Sequence, residues 1–318
     1  MRSWPAKDKG KKGILLVNLG TPASPGPLDV KRYLREFLSD PRVVDWPRWL
    51  WWPILNGIIL TFRPRRSAKL YQAIWKGDSP LRLHMLALEA ALRNLLGADR
   101  PVRIAMRYGE PSMAKALREL VAEGCTQLRV IPMYPQFSMS QTLSISDALE
   151  HLRREHPDLG IEVLHSYGDH TTYLEAVATS ARKSLAVCEG AHLLFSFHGL
   201  PKRYVRRGDS YLDECLRTAS LLAERLGHQD WSVAFQSRFG PEPWLEPDLL
   251  DSLAQLGHQG RSVVVVTPGF SCDCLETLEE LDVQAKDFFL ACGGRQWDRV
   301  PCLNESPDAV RLLGELSS

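Results

Sequence analysis

The chain runs to 318 residues, and at about 100 to 200 residues per domain that length argues for two domains of similar size and against one small module. Hydrophobic residues at 44% and charged residues at 24% are the proportions of a globular protein with a sizeable core, which excludes a disordered chain, a collagen-like repeat and a polytopic membrane protein. The 39 Lys and Arg nearly balance 38 Asp and Glu for a net charge of +1, so no global field attracts a polyanion and nucleic acid is not an expected partner.

The start, Met1 to Lys12, is basic and polar, with no apolar core of a secretory signal before Gly13, so the protein is expected to stay in the cytoplasm. Trp46, Trp49, Trp51 and Trp52 then crowd into one short stretch. The segment WLWWPILNGIILTF at 49–62 carries no charge, yet it is shorter than the roughly 20 residues of a spanning helix and contains Pro53 and Gly57. A core helix seldom uses so many Trp, whose indole N–H and bulk suit an interface. With Arg63, Arg65 and Arg66 following directly, the pattern is that of an edge meeting anionic lipid headgroups or closing over a large flat apolar ligand.

Short apolar runs alternate with amphipathic helical stretches along the rest of the chain. GILLVNLG (13–20), RIAMRY (103–108), QLRVIPMYPQ (127–136) and IEVLHSY (161–167) are expected strands of the first half. HLLFSFHGL (192–200), WSVAFQSRFG (231–240) and SVVVVTPGF (262–270) are expected in the second, all reading as strands buried on both faces of a parallel sheet. Helical spacing marks 111–124, 173–190, 211–227 and 274–289. This alternation gives an α/β protein of doubly wound parallel sheets, with ligands expected beyond the carboxyl ends of the strands. Neither GxGxxG nor a Walker loop follows a strand, so no nucleotide cofactor is expected.

Three strand-end segments carry candidate chemistry. In SFHGLP, His198 stands at the end of an apolar run beside a Gly turn, placed to accept a proton or ligate a metal, whereas His151, His156, His228 and His258 lie in polar helix or loop context. In PGFSCDCLETLEEL, Glu276 and Glu280 share one face of the expected helix and suit proton acceptance or metal relay, and Glu279 reads as a solvated residue. In QSRFGPEPWL, Trp244 could join Phe270 and Tyr134 as aromatic walls of a pocket.

These three motifs, in this order and spacing, resemble the ferrochelatases, which insert ferrous iron into a porphyrin; GILLVNLGTP, KLYQAIWKGDSPL, MRYGEPS and YPQFSMSQT extend the resemblance over nearly the whole chain. The resemblance implies two Rossmann-like domains related by pseudo-symmetry, with the active cleft between them. The domains would be 1–150, carrying an apolar lip at 46–62, and 151–304, with a C-terminal helix at 305–318 returning to the first domain. It implies Fe²⁺ and protoporphyrin IX as substrates, His198 and Glu276 as the pair that meets proton and metal, and Asp273 and Glu280 in accompanying positions. Porphyrin contacts would fall to Leu19, Arg107, Tyr134, Trp244 and Phe270, with Arg65 or Arg66 on a propionate, while Gln284 stands where some relatives have a further acidic residue. The lip would meet the inner membrane face, making the protein a peripheral membrane enzyme.

Cys272, Cys274, Cys292 and Cys302 fall in one stretch, while Cys125, Cys188 and Cys215 are scattered. The odd total of seven fits a reducing compartment, and the group of four could ligate a [2Fe–2S] cluster, although its spacing is no standard ferredoxin or zinc pattern. Within the fold the alternatives are a chelatase of coproporphyrin or a cobalt-inserting enzyme. Outside that class the alternative is a non-catalytic porphyrin carrier, against which the retention of His198, Glu276 and Glu280 together argues.

Overall fold

The computed structural model describes residues 10–240 and 242–318; most of the basic start, at 1–9, and Pro241 within the 236–245 segment lie outside the described residues. Four strands, β1 (Lys11–Gly20), β2 (Val102–Tyr108), β3 (Cys125–Pro132) and β4 (Gly160–Val163), form a parallel sheet in the order β2-β1-β3-β4. Four more, β5 (His192–His198), β6 (Trp231–Gln236), β7 (Val263–Val266) and β8 (Trp297–Arg299), form a second parallel sheet in the order β6-β5-β7-β8. The same winding appears twice: in each sheet the first strand has its second on one side and its third on the other. Together they make a two-part α/β chain of doubly wound sheets.

The strands form where the sequence has unbroken apolar runs because both faces of each sheet are covered. Ile14, Leu15, Leu16 and Val17 of β1 are all inaccessible to solvent. The helix Met113–Ala122 presents Met113, Ala116, Leu117 and Leu120 at helical spacing to Leu15, Val17, Val130 and Ile161. In the second half Leu249, Leu253 and Leu256 of the helix Leu249–His258 close over Leu194, Ala234, Val263 and Val265, joined by Leu281 and Phe289.

Among the elements that depart from the sequence reading, three bear on the site or its sheets. The strand expected at 161–167 ends at Val163. β8 was not expected, since its three residues WDR lack an apolar run. The helix expected over 274–289 is π-helical at Glu276–Ala285 and α-helical only at Lys286–Ala291.

The chain groups into two compact units. The first holds the chain through Tyr134, Ser138–His165 and Leu313–Ser318, and the second holds Pro135–Phe137 and Ser166–Leu312. Pairing of β4 with β3 keeps residues beyond 150 in the first unit, because β4 completes its sheet. A helix at Pro307–Leu316 closes the chain. Its last residues group with the first unit, where Arg129 Nε donates to the Leu316 carbonyl at 3.1 Å and Arg100 donates to that of Ser317.

The Trp-rich segment is helical at Arg48–Ile54, π-helical at Leu55–Ile59 and helical again at Leu60–Ile74. Trp49 is 78% exposed and Phe62 71%, with Trp52 and Ile58 also exposed. Trp51 differs: it is 5% exposed and its indole N–H donates to the Leu38 carbonyl at 2.7 Å. The apolar edge is thus anchored by one inward Trp and presents the others outward. No helix among the described residues is long and apolar enough to cross a membrane.

Candidate functional site in the second unit

β5 is the switch point of its sheet, flanked by β6 and β7, and its last residue is His198. The ring Nδ1 lies 2.7 Å from the Gly199 carbonyl, an acceptor only, so Nδ1 carries the proton and Nε2 keeps the lone pair in the neutral ring. Tyr211 OH donates to the His198 carbonyl at 3.0 Å, fixing the strand end. Gly199 is required by close approach: a Cβ there would stand 2.8 Å from the Gln236 carbonyl oxygen and 3.1 Å from Trp244 Cε3.

Gln236 pairs with His198 across the sheet and is the hub of the polar contacts. Its Oε1 accepts from Ser196 Oγ at 2.7 Å, and its Nε2 reaches the Glu276 carbonyl at 3.3 Å and Glu280 Oε2 at 3.4 Å. Ser237 then clamps Glu280 from both oxygens, its N–H donating to Oε1 at 2.8 Å and its hydroxyl to Oε2 at 2.5 Å. Ser237 does this at φ 64°, a left-handed conformation rare outside Gly and Asn. Burial pushes the Glu280 carboxyl above the ordinary glutamate range; the Ser237 hydroxyl and the charge of His198 pull it back, and Glu276 pushes it further up. His198, Glu276 and Glu280 thus form one electrostatic group at the carboxyl ends of the strands.

Asp273 is differently placed. It is buried, its Oδ1 accepting from Arg299 Nη1 and Thr277 Oγ1, each at 2.9 Å, and its Oδ2 from Asn304 Nδ2 at 2.7 Å. Burial alone would raise this carboxyl, but Arg299, Asn304 and Thr277 hold it below the ordinary range. Both oxygens are committed to anchoring the loop that leads into the π-helical segment. Glu279, expected to be solvated, is buried and accepts from Gln284 five residues on, a pairing brought about by the wider π turn.

The remaining aromatic and basic candidates divide. Phe270 lines a small pocket with Tyr173, Val266, Thr267 and Leu303. Trp244 is half-buried, and its buried indole N–H has no acceptor among the described residues. Tyr134, expected as a pocket wall, is packed into the core of the first unit with Leu15 and Val130. Leu19 packs partly against that same core. Arg107 is held internally, its Nη2 donating to buried Asp40 and its Nε to Ser144 Oγ, both at 2.7 Å. Arg65 and Arg66 are exposed on the helix Leu60–Ile74. Gln236, Ser237, Tyr211 and Arg299 escaped the sequence reading; only the first two lie inside a motif it singled out.

The [2Fe–2S] cluster expected of the four clustered cysteines gains no support among the described residues. Cys272, Cys274 and Cys302 are buried, and burial drives all three thiols up. Cys292 lies apart, its Cβ against Gly257 of the helix Leu249–His258. Among the described residues no group of three or more His, Cys, Asp or Glu side chains is arranged to hold a metal ion.

Comparison with known proteins bears on this arrangement. The chain is similar in structure to SirB from Bacillus subtilis with Fe3+, with a TM-score of 0.58 at 14% identity over 97% of this chain and 96% of that one. It is also similar to CbiX, described as the terminal enzyme for biosynthesis of siroheme in denitrifying bacteria, with a TM-score of 0.52 at 15% identity over 96% of this chain and 97% of that one. These two establish the fold alone. In sequence the chain is 45% identical over 314 residues to the ferrochelatase of Klebsiella pneumoniae (strain 342), covering 97% of this chain and 98% of that protein. It is 45% identical over 312 residues to the ferrochelatase of Escherichia coli O139:H28 (strain E24377A / ETEC), covering 96% and 97%. With the ferrochelatase family model matching residues 11–318 as well, the chain belongs to the ferrochelatase family.

Proposed function

We propose that this chain inserts ferrous iron into protoporphyrin IX to give protoheme. Family membership supports the reaction class, and the grouping of His198, Glu276 and Glu280 at the ends of β5 to β7 carries the assignment of residues. In the reaction four ring nitrogens bind Fe²⁺ while two N–H bonds break, so two protons must leave for each iron that enters. His198, with its Nε2 lone pair, and Glu276 supply between them the proton acceptor and the first ligand of incoming iron. Glu280, oriented by Ser237 and Gln236, carries protons onward, and Asp273 holds the segment in place. Trp244, whose buried indole N–H lacks an acceptor among the described residues, and Phe270 are the aromatic side chains of this unit offered to the macrocycle.

The exposed Trp49, Trp52, Ile58 and Phe62, with Arg48, Arg65 and Arg66 nearby, suit contact with the anionic cytoplasmic face of a membrane, where an insoluble porphyrin resides. Anaerobic assay with Fe²⁺ against protoporphyrin and coproporphyrin tests the proposal. Preference for coproporphyrin would overturn the substrate. His198→Ala is expected to abolish insertion while porphyrin binding, read by fluorescence, persists; near wild-type insertion by this variant would remove His198 from the chemistry.

A further inference from the structure

The glutamates of the site sit on a π-helical segment, Glu276–Ala285, and one buried side chain is tied both to a residue ahead of it and to a residue within it. Arg299, at the end of β8, has a side chain only 5% exposed. Its Nε and Nη2 donate to Asp282 Oδ1 and Oδ2, both at 2.8 Å, a bidentate fork, while its Nη1 donates to Asp273 Oδ1 at 2.9 Å. Asp273 precedes Glu276 and Asp282 follows Glu280, so a single guanidinium spans the stretch that carries both. Asp273 is fixed again by Thr277 and Asn304, which makes the near end of the span rigid.

A π turn closes i to i+5 and is rarely sustained, since the i to i+4 pattern of the α-helix is the better-packed alternative. Relaxation of Glu276–Ala285 to α-helix would change the angle between Glu276 and Glu280 around the axis and draw the Glu280 carboxylate away from Ser237. A planar fork held at both ends opposes that rotation in a way a point charge cannot. We propose that Arg299 and Asp282 are positioning residues for metal insertion, their bidentate pair holding the π turn so that Glu276 and Glu280 keep their setting against His198 and Ser237. The inference rests on the reading that these glutamates serve the reaction.

The test uses the full chain with Asp282→Asn and Arg299→Lys. Asp282 is 36% exposed at its side chain and its replacement leaves the buried Arg299–Asp273 pair intact, so that variant folds even if the Arg299 variant does not. Competent sites are counted by protoporphyrin fluorescence titration, kcat per site is measured anaerobically with Fe²⁺, and amide hydrogen exchange is followed over 276–285 and, as internal reference, over the helix Leu249–His258. Expected for Asp282→Asn are porphyrin affinity within about twofold of wild type, kcat per site lower by about tenfold, and exchange over 276–285 faster by about tenfold with the reference unchanged. Unchanged kcat per site overturns the proposal, as does a loss of rate without faster exchange in that segment. Wild-type rates in Glu276→Gln and Glu280→Gln would instead overturn the reading of the glutamates on which it stands.

Discussion

Replacing Asp273 with Asn perturbs the loop ahead of the acidic segment with the least change of shape. The carboxylate faces Arg299, and both side chains are almost wholly buried, while the other partner of that guanidinium, Asp282, is partly solvated. Removing one member of a buried pair costs about 3–5 kcal/mol, because the remaining charge stays out of water. Asp282 still holds the guanidinium, which puts the expected loss near the lower end, about 3 kcal/mol. The Asn oxygen can keep Thr277 or Arg299, but its amide would then meet the Asn304 amide donor to donor. Urea unfolding at neutral pH measures the loss. Glu175→Gln is the control: its exposed carboxylate pairs with Arg182 and Arg225, and its loss is expected to cost no more than about 1 kcal/mol. The pH dependence has a definite sign. A carboxyl held below its unfolded value, here about 3.9, contributes stability above that value and loses it as pH falls through the lower folded one. The gap between wild type and Asp273→Asn should therefore narrow in acid below about pH 4. A variant within about 1 kcal/mol of wild type at neutral pH would refute the view of Asp273 as an anchor.

The other expectations concern separate parts of the molecule. Polar replacement of Trp49, Trp52 and Phe62 together should reduce sedimentation with anionic liposomes while leaving the unfolding midpoint in place, and unchanged partitioning would remove the edge from membrane contact. Trp51→Ala should instead destabilise by about 3–5 kcal/mol, since it removes a buried ring and its bond to Leu38; a loss under about 1 kcal/mol would contradict the anchoring role. Gly199→Ala should cost about 1–3 kcal/mol and lower iron insertion, because the added methyl meets the Gln236 backbone and Trp244; wild-type activity would show that the turn gives way. Glu280 must be ionised to accept a proton, and its carboxyl lies above the ordinary range, so the acid limb of kcat/KM should fall above that range and vanish in Glu280→Gln; an unaltered limb in the variant would assign it elsewhere.

What the sequence made legible follows from how each signal arises. The runs ILLV, LLFSF and VVVV are apolar because both faces of a parallel strand are covered, so the central strands could be read off the apolar runs themselves. His198 was legible because a histidine ending such a run beside Gly has few places to go. β8 was not, since an edge strand of three residues has only one neighbour to satisfy and needs no apolar run, and Arg299 was lost with it. Glu279 was misjudged for another reason. Its exposure was inferred from an α-helical period, and the π turn moves every residue after Glu276 around the axis, bringing Glu279 inward onto Gln284. For Arg107 and Tyr134 no local pattern announces that Asp40, far away in the chain, holds the one, or that the apolar core encloses the other.

The polar contacts of the site share one cause in the pleat of β5. Alternation puts Phe195 and Phe197 on one face, where both are fully buried, and Ser196 and His198 on the other. Parallel pairing sets Gln236 beside His198, so its side chain falls on the same face, takes the Ser196 hydroxyl and passes its amide to the Glu276 carbonyl and the Glu280 carboxylate. A buried Gln with both ends engaged has little freedom to turn, and any carboxylate it addresses is held with it. The orientation of Glu280 therefore depends on the register of β5 with β6 as well as on the helix that bears it. Ser196→Ala isolates that dependence: it removes the hydroxyl that fixes the amide without touching either glutamate. If strand register sets the acceptor, the variant should slow iron insertion while porphyrin affinity holds; if the π-helical segment alone sets it, the rate should not change.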